Sequence, residues 1–115
     1  MQLTLDEQLK AEIILQSLIQ TRTTISYSDF AVCMRLMGAQ KINRIIKWLE
    51  KITIEDMHAG MPLRACMVFS KQTPGLPSYG FFSFCAEIGV FDWQNDPSRA
   101  QIFIQSQKDM LFSAK

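Results

Sequence analysis

The chain holds one histidine, three cysteines, five glycines and four prolines in 115 residues, and twelve basic side chains nearly cancel eleven acidic ones. Each scarcity excludes something. Cys33, Cys66 and Cys85 are odd in number and widely spread, which excludes a secreted disulfide scaffold. No apolar run approaches the ~20 residues that span a bilayer, and the start, Met1 to Leu5 then Asp6-Glu7, has no basic leader. The expectation is a soluble cytoplasmic protein with no membrane contact. A zinc site needs at least three ligands, and the cysteines and His58 show no short ligand spacing. Gly75 and Gly80 stand among prolines and form no phosphate-cradling loop. The adjacent Glu55 and Asp56 point different ways on a helix, which does not suit acid/base work. His58, with Glu55 or Asp56 to orient it and Ser70 or Cys66 as nucleophile, reads as a solvated helix end. No enzyme, metal or cofactor is expected.

What is present is the material of one globular domain over residues 1–115: 48% hydrophobic, 20% charged, with no repeat, low-complexity tract or linker. Leu5 to Thr21 reads as a helix whose apolar residues (Leu5, Leu9, Ala11, Ile14, Leu15, Leu18, Ile19) cover a very broad arc. Such a helix wants cover from two sides, by the C-terminal helix or by a second copy of the chain. Ser26 and Asp29 form a variant capping box opening a helix from about Tyr27 to Leu36, with Phe30, Ala31, Met34 and Met37 facing inward and Gly38 as the stop. A third helix follows to Lys51, and the pair has a helix-turn-helix outline. Thr53 caps a further short turn, and Gly60 ends it. Leu63 to Phe69 is apolar enough for a buried strand, and residues 70–77 are a loop. Phe81 to Ile88 is a returning strand or, as its shared helical face favours, a helix ended by Gly89. Asp96-Pro97 starts the last helix, with Ala100, Phe103, Ile104, Met110 and Leu111 in one stripe.

The third helix is the most informative stretch. Ile42, Ile45, Ile46, Leu49 and Ile52 share one side, while Gln40, Lys41, Arg44, Lys47 and Lys51 lie opposite, Trp48 borders them and Arg35 precedes the turn. That suits a helix docked by its apolar side, its cations reaching phosphates and Gln40 or Asn43 reading base edges. Lys71 and Gln72 at the loop tip would reach flanking backbone as a wing does, and Arg64 is a further auxiliary contact.

The order Ile25-Ser26-Tyr27-Ser28-Asp29-Phe30-Ala31, a short turn, the Gln40-to-Leu49 helix, then Pro62-Leu63-Arg64-Ala65-Cys66-Met67-Val68 resembles the winged-helix domain of alkylguanine-DNA alkyltransferases and alkyltransferase-like proteins. Leu63 stands where that family's reactive cysteine would fall, and Gln40 or Lys41 where its duplex-inserting arginine would, so alkyl transfer is not implied. Residues 63–82 are also similar to small uncharacterised bacterial winged-helix-like proteins.

The expectation is therefore a mostly α (α+β), winged-helix-like domain with a short hairpin or strand and a C-terminal helix. As a homodimer it would dock on duplex DNA through Gln40, Lys41, Asn43, Arg44, Lys47 and Lys51, helped by Arg64, Lys71 and Gln72. The alternative is a non-catalytic protein-binding module of inhibitor, immunity or antitoxin type, using the first helix with Phe91 and Trp93.

Overall fold

A computed structural model describes residues 2–73 and 75–113. The elements in order are α1 (Leu5–Thr21), β1 (Ile25–Ser26), α2 (Tyr27–Cys33), α3 (Lys41–His58), a 3-10 turn (Arg64–Met67), β2 (Val68–Phe69), α4 (Tyr79–Glu87) and α5 (Pro97–Ser113). The domain is mostly helical with a two-stranded parallel sheet, Ile25 opposite Val68 and Ser26 opposite Phe69, and a C-terminal helix.

Capping chemistry sets most of the boundaries. Thr4 and Glu7 form a reciprocal capping box on α1, Ser26 accepts from the Asp29 N–H on α2, and the Asp96 carboxylate accepts from the Ser98 N–H at the start of α5. α1 and α2 each end in a Schellman turn whose left-handed residue is an arginine, Arg22 and Arg35, both at φ 56°. α2 therefore stops at Cys33, short of the expected Leu36, and Arg35 rather than Gly38 turns the chain. That turn carries Leu36 into the core and leaves Met37 outside.

α3 runs on to His58 instead of stopping near Lys51. Nothing between these residues breaks a helix, and Ile52, Thr53 and Asp56 are all buried. Thr53 caps nothing: its hydroxyl donates to the Leu49 carbonyl inside the helix.

The core is threaded by residues 63–68. Leu63, Ala65, Cys66, Met67 and Val68 are buried, and the 3-10 turn packs against α1, α3 and α5. A segment covered by three helices needs apolar side chains on most sides, which explains its hydrophobicity apart from Arg64. Most of the expected strand is a tight turn, and only its last two residues pair. Residues 79–87 are a helix, with Phe81, Phe82 and Cys85 inside.

Candidate functional site

α3 buries Ile45, Trp48, Leu49 and Ile52 and carries Arg44, Lys47 and Lys51 on the flank beyond Trp48, where α1 crosses and supplies acceptors to Arg44 and Lys51. Lys41 lies at the edge of the buried side instead of opposite it. The Arg44 guanidinium bonds the Glu7 carboxylate, and its side chain is only 17% exposed. Glu7 is itself fixed by the cap: the Thr4 N–H, then Arg44, hold its carboxyl below the usual range against its partial burial. Among the described residues Arg44 Nε is buried without a partner, so this arginine is committed to the α1–α3 contact. Lys51 Nζ donates to Gln8 Oε1 at 2.9 Å and lies 3.9 Å from Glu55, while Lys47 lies 3.9 Å from Glu50. Of the expected row, Arg44 is thus taken up by α1, and Lys47 and Lys51 each have an acidic neighbour at 3.9 Å. A phosphate reaching Arg44 would have to displace a carboxylate already held in place.

The auxiliary residues are also engaged. Lys71 lies 3.7 Å from Asp29, and Gln72 is exposed with its backbone N–H donating to Ser70 Oγ. Arg64 is part of the packing: Nε donates to Asp56 at 3.0 Å and Nη2 lies 2.9 Å from it. Asp56 also accepts the Arg64 backbone N–H at 3.0 Å, with Glu12 and Glu55 farther off at 3.8 and 3.9 Å. This pair borders a surface cavity of about 410 Å³ walled by Gln16, Ile19, Met61, Pro62 and Leu111. Asp56 is therefore turned inward and away from any role beside His58.

What stays open on α3 is its first part. Gln40 and Asn43 are exposed and bonded to each other at 2.9 Å, Lys41 has no ion pair among the described residues, and Lys47 is 68% exposed.

The larger open feature is apolar. Leu5, Leu9 and Ile13 of α1 are 71%, 53% and 70% exposed. Spaced four apart, they make one stripe on the side of α1 away from Ala11 and Leu15, which are buried. The broad arc in the sequence already called for two covers. α5 and the 3-10 turn supply one, and the described residues supply none for the stripe. Ile13, absent from the sequence-level arc, belongs to it, and the spacing of four from Leu9 is the signal. Phe91 and Trp93, expected beside this surface, instead close α4 against α5. Phe91 stacks on Phe103 with centroids 4.0 Å apart, and Trp93 lies between Tyr79 and Phe82 at 5.4 and 5.3 Å.

The thiols divide sharply. Cys66 and Cys85 are buried, which pushes Cys66 well up and Cys85 up to about 12, whereas Cys33 is exposed. One thiol per native chain is therefore expected to react promptly with Ellman's reagent and all three in denaturant. Fast reaction of a second native thiol would contradict this packing. Among the described residues no group of His, Cys, Asp and Glu is placed to hold a metal, and no helix is long and apolar enough to cross a membrane. Comparisons with protein-family models, with curated proteins and with solved structures find no match for this chain.

Proposed function

We propose that the chain is a protein-binding module without bond chemistry, and that the outer face of α1 is its contact surface. The observation that carries this is the stripe of Leu5, Leu9 and Ile13, three large aliphatic side chains left in water side by side on one helix. Contiguous exposed apolar surface on an ordered helix marks an interaction site more often than scattered single residues do. The stripe sits on a rigid support, since Arg44 and Lys51 of α3 tie down Glu7 and Gln8 on the adjoining flank. The contact would be made by a preformed helix, with little ordering cost on binding.

A photo-crosslinking residue at Leu9 tests this in cells. A discrete adduct is expected, against none from the same residue at Ser83 on α4. Absence of any adduct from positions 9 and 13 would remove the reading.

A second reading, docking on duplex DNA, keeps support from the uncapped start of α3. Gln40 makes no side-chain cap, no acidic residue lies in the first turn, and Lys41, Asn43 and Lys47 stand nearby. It rests on the winged-helix resemblance and on these residues without Arg44. Its mark would be duplex retention at ~50 mM salt, where phosphate contacts are strong, lost on Lys41→Glu with Lys47→Glu. No retention by the wild type removes it.

A further inference from the structure

The partner of the α1 stripe can be named from the charges beside it. At about 100° per residue, Leu5, Leu9 and Ile13 occupy one side of α1, and Asp6 and Lys10 lie together along one edge of that side. The other acids of α1 are used within the chain, Glu7 by Arg44 and Glu12 beside Arg64. Asp6 and Lys10 are exposed and have no ion pair among the described residues. Beyond Ile13 the same face continues as Gln16, Ser17 and Gln20, which are exposed and uncharged.

We infer that a second copy of this chain covers the stripe, its α1 packed antiparallel on the first about a two-fold axis near residues 8 and 9. This rests on the protein-binding reading above and names its occupant. The symmetry makes the argument. A two-fold axis perpendicular to two antiparallel helices brings the same edge of each helix together, so residue i faces a residue j for which i + j is constant. For the aliphatic stripe that pairing sets Leu5 against the partner's Ile13 and Leu9 against the partner's Leu9. For the edge it sets Asp6 against the partner's Lys10, twice. The two sums differ by two, which displaces the ideal axis by one residue, about 1.5 Å along the helix. Lysine side chains span that offset. Asp6 and Lys10 are thus arranged to be complementary to their own copies, whereas a reversed sign at either position would set like charges face to face.

The stripe spans nine residues, about 12 Å of helix from the first to the last, so the contact is smaller than that of a permanent dimer and its dissociation constant should fall between about 1 μM and 1 mM. Sedimentation equilibrium over that concentration range tests it on the full chain. The wild-type mass is expected to climb from one chain toward two. Asp6→Lys and Lys10→Asp each set like charges together twice and should weaken association at least about tenfold, so that each variant is lighter than the wild type at equal concentration. An equimolar mixture of the two variants restores both attractive pairs and should be heavier than either alone. Leu9→Glu, which alters an exposed site, should abolish association with circular dichroism and thermal unfolding of the monomer kept.

A wild type monomeric throughout, or a mixture no heavier than its components, overturns the inference. A position-9 crosslink to a protein other than this chain, with a monomeric wild type, overturns self-association and leaves the protein-binding reading standing. No crosslink together with a monomer removes both.

Discussion

Phe30→Ala is expected to destabilise the domain by about 3–5 kcal/mol, the cost of emptying a fully enclosed aromatic site. Phe30 is completely buried, and its ring meets the edge of Trp48 at 6.3 Å and 64°, which ties α2 to α3. α2 has seven residues, too few to persist as an isolated helix, so its formation depends on this packing. A domain of this size has roughly 5–15 kcal/mol to lose. In urea the unfolding midpoint should fall steeply with an unchanged slope, and amide exchange in α2 should accelerate more than in α5. A loss below about 1 kcal/mol would mean that α2 does not sit as described.

Asp56→Ala is expected to cost about 2–3 kcal/mol, less than the full value for breaking a buried ion pair because Arg64 is partly solvated. The Asp56 carboxylate meets two needs at once, accepting the Arg64 backbone N–H and receiving its guanidinium. Without it the guanidinium has, among the described residues, only Glu12 and Glu55, at 3.8 and 3.9 Å, and the backbone N–H at the entry to the 3-10 turn loses its acceptor. Asp56→Asn, which keeps an oxygen acceptor, should fall between. Arg64→Ala, combined with Asp56→Ala, should cost less than the sum of the two single changes, the sign of direct coupling. If Asp56→Ala stays within about 0.5 kcal/mol of the wild type, the pair is a surface contact with no structural role.

Both sites bear on what a one-dimensional reading detects. Two helix starts were legible because their chemistry is local: Ser26 with Asp29 and Asp96-Pro97 each act within three residues. The helix over residues 79–87 was legible from the shared face of Phe81 and Cys85. The end of α2 was not. An arginine in the left-handed turn conformation has no strong sequence mark, and Gly38 two residues beyond Leu36 was the more obvious stop. The continuation of α3 to His58 was also hidden, because the β-branched run Ile52-Thr53-Ile54 disfavours helix locally while the burial of Ile52 and Thr53 favours it more.

The basic flank shows the same limit in its electrostatics. Arg44, Lys47 and Lys51 are visible as a cluster because they share one helix. Glu7 and Gln8, which take up Arg44 and Lys51, are more than thirty residues away, so no window along the chain links those two donors to these acceptors.

The sequence by itself determined the elements with local signals, the mostly helical fold class, the inward faces of α3 and α5, and the excess apolar surface of α1 that one neighbour could not cover. Only the tertiary structure decided which charges remain in solvent and which aliphatic side chains stay uncovered. Caps and helical periodicity act over a few residues, whereas charge neutralisation and burial depend on which distant segments come to lie side by side, and that is settled only when the helices pack.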